Sequence, residues 1–282
     1  MSNLTNNTQA QKIRGVFSTQ EIKRVGTGTT TRKTVQKMFW FVEQLDSGAL
    51  ECQPLNSNYI PSGPKRTVSM EDLMAKFAPE PEFYTNSVYP KMQEMNRSID
   101  EGDKHREKGE TFAAEFEYEN ALKLDEENVR ANFGIGLTYL QRGEKDKAED
   151  LFQRLVHLDA AFQEEHKHLF NEFGINLRKS KMFDQAVEYY TRALELTKND
   201  ENLRINLARA YLEAKDFTHA VEHLFAALDI APRHESGLKF LEWLLAKGLV
   251  PPDMTARAQQ YMAGTAAPAA PAAPAAPGTP GA

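Results

Sequence analysis

A pattern recurs every 34 residues between about residue 95 and residue 234. Gly102, Gly136, Gly174 and Ala208 align, and twelve residues after each stands a small side chain: Ala114, Ala148, Ala186 and Ala220. Four further on comes a large one, Tyr118, Phe152, Tyr190 or Leu224, and three beyond that Ala121, Leu155, Ala193 or Ala227. The first two copies are contiguous, as are the last two, and four residues, Gln163 to His166, separate the pairs. A fixed period of this length means stacked supersecondary units, none of which buries its own apolar face alone. The small residues let one helix approach another closely. The residues at +16 and +19 lie on one face of the second helix. Each copy reads as helix, tight turn, helix.

The region resembles the tetratricopeptide repeat family, whose pattern runs aromatic, Leu-Gly, Tyr, Ala, aromatic, Ala and Pro. Four copies are delimited: 95–128, 129–162, 167–200 and 201–234. The second carries Ile135-Gly136, Tyr139, Ala148 and Phe152, and the third Gly174, Ala186, Tyr190 and Ala193. The fourth carries Leu207-Ala208, Tyr211, Ala220, Ala227 and Pro232. The first is the most degenerate, with Ser98, Glu101 and His105 where larger apolar groups are expected. The family's Trp is replaced throughout, by Ser98, Asn132, Phe170 and Arg204.

The resemblance implies an α-solenoid, a right-handed superhelix whose first helices line a groove through the second, fifth, ninth and twelfth positions of each copy. In the second copy these include Arg130, Phe133 and Leu137; in the third, His168, Asn171, Ile175 and Arg178; in the fourth, Asn202, Ile205 and Arg209. Apolar anchors there would hold a peptide or partner segment, with Arg fixing an acidic end. Chaperone-tail binders of the family clamp a carboxylate with Lys and Asn at the fifth and ninth positions of the first copy and Asn at the ninth of the next. Ile99, Asp103 and Leu137 stand there, so that clamp is absent.

The remainder divides around the repeats. Residues 1–34 are polar and turn-rich, and Lys12, Arg14, Lys23, Arg24, Arg32 and Lys33 outnumber Glu21. They read as a basic flexible arm, solvated rather than bound to nucleic acid. Residues 35–85 read as a small α+β module: a strand over Val35–Leu45 (a helix is the alternative, since Val35, Met38, Phe39, Val42 and Leu45 also fit a helical stripe), a turn at Asp46-Ser47-Gly48, a strand over Ala49–Leu55, then a helix capped by Ser69 and ended by Pro79 and Pro81. A lone hairpin is marginal in water, so the module must pack on its own helix, the first repeat or another chain. Residues 235–263 read as C-terminal capping helices. Residues 264–282 are Ala, Pro, Gly and Thr only, an Ala/Pro-rich disordered tail by composition.

Charged residues make up 26% and hydrophobic ones 41%, a soluble mixture, and no apolar stretch is long enough to span a membrane. The single Cys52 excludes an internal disulfide, and with no signal core at the N-terminus a cytoplasmic address is expected.

Chemistry is sparse. Gly26-Thr27-Gly28 lacks the Lys and the helix start of a phosphate loop. Glu51 opposes thiolate formation at Cys52. His219 and His223 share a helix face but want a third ligand, so no metal site is expected. His166 and His168 point in different directions, and Glu115, Glu117 and Glu119 are solvated helix charges. No catalytic constellation and no cofactor follow. The sequence points to a non-catalytic protein–protein interaction scaffold or adaptor, with a structural protein that self-assembles through its repeats and N-terminal module as the alternative.

Overall fold

The computed structural model describes residues 12–25, 32–162, 166–197 and 199–264. The chain is mainly α and divides into two compact units, Met1–Glu144 and Lys145–Ala282.

The first unit opens with an antiparallel sheet of β1 (Arg14–Val25), β2 (Arg32–Gln44), β3 (Leu50–Pro54), β4 (Arg66–Val68) and β5 (Ala78–Pro79), in spatial order β4-β3-β2-β1-β5. The strand–turn–strand expected over Val35–Leu55 is β2 and β3, and α1 (Met70–Lys76) starts where Ser69 accepts a hydrogen bond from the Asp72 amide. The reading of residues 1–34 as a flexible arm is corrected over Arg14–Val25 and over residues 32–34, where β2 already begins. The Arg14–Val25 segment pairs with β2 along its whole length, from Arg14 opposite Glu43 to Val25 opposite Arg32. Its basic residues obscure a strand pattern in which Val16 and Ser18 turn inward and are buried. Two side-chain hydrogen bonds help hold it in place. The Ser18 hydroxyl donates to Glu80, 2.7 Å away, and the Trp40 indole donates to Thr19 at 2.9 Å. Residues 1–11, 26–31 and 265–282, including the Ala/Pro tail, lie outside the described residues.

Both faces of the sheet are covered, which is why the hairpin persists. On one face Val42, Leu50 and Cys52 pack with Leu73 of α1, joined by Phe17, Trp40 and Phe77. Burial pushes the Cys52 thiol up, away from the thiolate form that reacts. On the other face Val16 and Phe41 meet Val88, with Phe39, Phe83, Tyr84 and Met92 around them. Phe83 comes from α2 (Pro81–Phe83), Tyr84 and Val88 from one π-helical turn (Tyr84–Val88), and Met92 from α3 (Tyr89–Glu107). The loop after β3 also caps α4 (Thr111–Leu124): Asn56 and Asn58 donate to the Leu124 carbonyl at 2.9 and 3.0 Å, and Ser62 donates to Asp125 at 2.7 Å. The two asparagine bonds satisfy a carbonyl that a helix end leaves without a partner. The module therefore packs on both its own helix and the first repeat.

Helical hairpins fill the rest. The first unit holds α3, α4 and α5 (Val129–Arg142). The second holds α6 (Lys145–His157), α7 (Lys167–Lys179), α8 (Phe183–Leu196), α9 (Glu201–Glu213), α10 (Phe217–Ile230), α11 (Glu235–Ala246) and α12 (Thr255–Met262). The small residues of the period do what spacing demands. A Cβ on Gly102 would stand 2.7 Å from the Tyr118 ring, and one on Gly174 2.4 Å from the Tyr190 ring. Tyr118 also presses on Gly134 of α5, where a Cβ would stand 2.3 Å away. In the second unit Phe152, Phe173, Tyr189 and Tyr190 are fully buried, with Phe173 and Tyr189 edge to face at 5.4 Å. Val221, Leu224, Phe225 and Leu228 of α10 pack with Leu241, Leu244, Ala258 and Tyr261, so α11 and α12 close that end of the core.

The turn inside each hairpin repeats too. Position fifteen of the four copies is Gly109, Gly143, Lys181 and Lys215, and all four have positive φ: 78°, 75°, 62° and 67°. The following amide reaches back five residues in every case, as from Glu110 to His105 and from Met182 to Leu177. This closes the first helix and reverses the chain. Glycine enters that conformation without strain, whereas lysine pays for its Cβ.

Three outcomes are expected in urea titrations of the full chain. Gly174→Ala lowers stability by about 1–3 kcal/mol, because the Tyr190 ring has nowhere to retreat. Lys181→Gly and Lys215→Gly each raise it by about 0.5–1 kcal/mol, the relief of the left-handed strain less the entropy of the freer unfolded chain. The third concerns His223, whose ring stacks on Tyr211 at 5.4 Å. Burial, then the nearby Arg204 and His219 charges, push its pKa down from 6.5 to about 4. Below pH 6.5 the unfolded chain takes up a proton that the folded one refuses, so this contribution is present above that value and is lost as pH falls towards 4. His223→Phe, which keeps a ring on Tyr211, should flatten the decline between pH 7 and 5; an unchanged slope would refute the assignment.

Candidate functional site

The sequence places its candidate groove on the first helix of each copy, and within the second unit two such helices, α7 and α9, run beside each other, with α11 next to α9. Polar contacts one repeat apart tie them together. The Asn206 amide of α9 donates to the Asn171 carbonyl oxygen of α7 at 3.3 Å. Arg178 of α7 forms a two-pronged ion pair with Glu213 of α9, Nε to Oε2 at 2.9 Å and the other nitrogen to Oε1 at 2.6 Å. His234 caps α11 by accepting from the Gly237 amide on Nδ1, which leaves Nε2 to donate to Asn202 of α9 at 3.2 Å. Asn202 and His168 are exposed, and Asn171 and Ile175 are half-buried.

Arg209 differs from Arg178. Its guanidinium lies 5.8 Å from the centre of the Phe240 ring and 3.5 Å from the Asn206 side-chain oxygen. It forms no ion pair among the described residues, because Glu213 is committed to Arg178. Burial, then the positive charge of Arg178, pull its pKa below the usual arginine range. The site thus holds a desolvated cation facing another cation, an arrangement that a negative group would relieve. Tyr190, whose charge interaction with Arg209 places it nearby, is fully buried, and its hydroxyl is unpartnered among the described residues. Burial pushes that phenol far up, so it stays a protonated donor.

Three expected groove residues are not available to a ligand. Phe133 is fully buried, Leu137 is 4% exposed and Ile205 is 2% exposed. Ile205 belongs to the core with Val221 and Leu228, close to Gly237. Arg178 is spent on Glu213, with 15% of its side chain exposed. Arg130, on α5 in the first unit, is spent on Asp100 and Asp103 of α3, at 2.9 and 2.6 Å. Asp103 also accepts from the Tyr118 hydroxyl at 2.5 Å. The structure brings together His168, Asn171, Ile175, Arg178, Asn202 and Arg209 on α7 and α9. It adds Asn206, Glu213, His234 and Phe240, which the four-position rule omits. Asn206 follows Asn171 by 35 residues and Glu213 follows Arg178 by 35, one repeat plus one. That spacing is the signal that finds them.

His219 and His223 both lie against Tyr211, with ring centres at 5.1 and 5.4 Å, and His219 pairs with Asp216 at 2.6 Å. Their shared face is an aromatic stack. Among the described residues no helix is long and apolar enough to cross a membrane.

Comparison with known proteins gives the same frame. Two family models, both described as tetratricopeptide repeat, match residues 99–162 and 177–243. Anaphase-promoting complex subunit 3 of Schizosaccharomyces pombe is 24% identical over 141 residues, 50% of this chain and 20% of that protein. The peroxisomal targeting signal receptor of Eremothecium gossypii is 26% identical over 110 residues, 39% of this chain and 19% of that protein. The BBSome complex member BBS4 of Bos taurus is 28% identical over 116 residues, 41% of this chain and 21% of that protein. The matched region spans about a fifth of the length of each. Among solved structures, MamA aligns with a TM-score of 0.44 at 22% identity, over 61% of this chain and 90% of its own. Pseudomonas aeruginosa pilF aligns with a TM-score of 0.43 at 18% identity, over 62% of this chain and 77% of its own. With its in-phase helical hairpins matched by these two family models, the chain is a tetratricopeptide repeat protein.

Proposed function

We propose that this protein is a non-catalytic scaffold or adaptor that holds a segment of a protein partner on the face built by α7, α9 and α11. One observation carries the reading: Arg209 stands on that face as a half-buried cation without a carboxylate, beside the amides of Asn171, Asn202 and Asn206. A folded face whose cation is unpaired is a poor end state for a solitary molecule and a good one for a receptor. The side chains are already held by their neighbours, which lowers the ordering cost of binding. The relatives support the same class. One is named as a receptor for a targeting signal, and two as members of multiprotein complexes. The address proposed is the cytoplasm, on the ground of a lone buried cysteine.

A second reading, self-assembly, draws on Phe112 and Phe116. They lie one turn apart on α4 and are 74% and 58% exposed. Together they offer an apolar stripe at the outer helix of the first repeat.

Quantitative affinity capture with the full chain separates the two readings. Arg209→Glu and Asn202→Arg should each remove the same partner set, while Glu188→Lys, on the exposed side of α8, should leave it intact. Partners indifferent to both inner-face variants would defeat the scaffold reading at this face. Sedimentation velocity over a hundredfold concentration range should show a constant monomer mass. A mass that rises with concentration, and no longer does so in Phe112→Ser/Phe116→Ser, would favour self-assembly instead.

A further inference from the structure

Two copies of the repeat place a tyrosine in the same position and satisfy its hydroxyl differently. Tyr118 and Tyr190 are each position twenty-four of their copy, and each presses on the glycine at position eight, Gly102 or Gly174. The residue after that glycine is Asp103 in the first copy and Ile175 in the third. Asp103 accepts from the Tyr118 hydroxyl at 2.5 Å and binds the Arg130 guanidinium at 2.6 Å. A carboxylate is there held between a buried phenol and an arginine of the next helix. In the third copy Ile175 supplies no carboxylate. Among the described residues the Tyr190 hydroxyl has no hydrogen-bond partner, and Arg209 of the next helix has no ion pair. Arg209 comes from position nine of its copy and Arg130 from position two, so the donors match in chemistry and differ in approach.

Buried hydroxyls without partners are rare, because each costs the desolvation of a polar group. An unpaired guanidinium next to a second guanidinium adds repulsion to that cost. A single incoming carboxylate removes both. Neither a neutral amide nor a cation does so.

We infer that Tyr190 and Arg209 form a binding site for one carboxylate of a partner peptide, the group that Asp103 supplies internally in the first copy. Asn171 and Asn206 flank it, joined to each other by the hydrogen bond from the Asn206 amide to the Asn171 side-chain oxygen. The occupant supplies the negative charge that the aspartate-to-isoleucine difference removes, and Arg209 must swing off the Phe240 ring to let it reach the phenol. Arg178 lends positive potential while its own forks remain on Glu213. This rests on the inner-face reading above and narrows it to an acidic determinant.

The test uses the full chain labelled with 15N and follows the arginine Nε–Hε signals by NMR, with Arg209→Gln identifying the resonance. Three small probes are titrated at constant ionic strength: N-acetyl-glutamate amide, N-acetyl-Ala-Ala with a free carboxylate, and N-acetyl-glutamine amide. The Arg209 signal should shift saturably with at least one carboxylate probe, and more than about tenfold more weakly with the neutral amide, as expected for a charge-assisted bond. The stronger carboxylate probe identifies the source as an acidic side chain or a chain terminus. Tyr190→Phe should weaken that probe roughly fivefold, the loss of one hydroxyl bond. Ile175→Asp should abolish the shift and raise the urea midpoint, since the chain then fills its own site. No saturable shift with either carboxylate, an equal response to the amide, or a response that survives Ile175→Asp would overturn the inference. The small probes test the carboxylate site alone. A silent titration with partner capture still sensitive to Asn202→Arg would remove this site and leave the scaffold reading standing.

Discussion

The contact on which the structure depends is a tyrosine ring seated on a glycine. Tyr118 on Gly102 and Tyr190 on Gly174 bring the two helices of a copy so close that no Cβ fits between them. At that distance the ring fills the space a side chain would otherwise occupy, and the flanking Ala114, Ala121, Ala186 and Ala193 are fully buried. Dense contact of this kind yields many small dispersion gains and leaves no void to collapse into. Tyr118 also reaches Gly134 of the following helix, so one ring fixes both the hairpin and its neighbour within the first unit. The 34-residue period is the sequence record of that need, repeated.

The same contact makes the inner face polar. A phenylalanine would plug the seam equally well, but a tyrosine delivers a hydroxyl to the first-helix side, where it requires an acceptor. The first copy answers with Asp103, and Arg130 then balances the aspartate. The paired arginines Arg130 and Arg178 are structural ties between successive helices. Charge on this face is mostly cement, since Arg130 and Arg178 are both committed to carboxylates.

Sequence pattern made the repeats legible because packing dictates residue size at fixed intervals. Gly102, Tyr118, Gly174 and Tyr190 are where they are for geometric reasons that need no structure to state. The N-terminal sheet was half legible. Trp40, Phe41 and Asp46-Ser47-Gly48 announce β2 and its turn, whereas β1 carries Lys23 and Arg24 and reads as a solvated leader. Its identity as a strand comes from long-range pairing with β2, which composition does not encode. The inner-face residues fared unevenly for a related reason. Position within a repeat fixes which helix a residue sits on and roughly which way it faces. It does not tell whether a side chain is already occupied. Ile205 is taken by the core of α10 and Arg178 by Glu213, and both partners lie in other elements. The hairpin turns show the converse. Gly109 and Gly143 advertise a left-handed residue, while Lys181 and Lys215 adopt the same conformation unannounced, because the helices on either side impose it.

These threads join in the third copy. Its hairpin carries a strained Lys181 at the turn, a buried Tyr190 with an unsatisfied hydroxyl and, on the next helix, an arginine that faces another arginine. Each is a local loss that the fold could have avoided with a residue used elsewhere in this same chain: glycine at the turn, as at Gly109, and aspartate after the plug glycine, as at Asp103. Small domains have little stability to spare, so unrelieved costs of this kind persist where something else depends on them. The turn strain needs no ligand to explain it, since the backbone there lies at the end of the helix pair. The hydroxyl and the guanidinium lie together on the face that the asparagines line. Their shared deficit is one negative charge with hydrogen-bond-accepting oxygens, and that defines the chemistry of what belongs there.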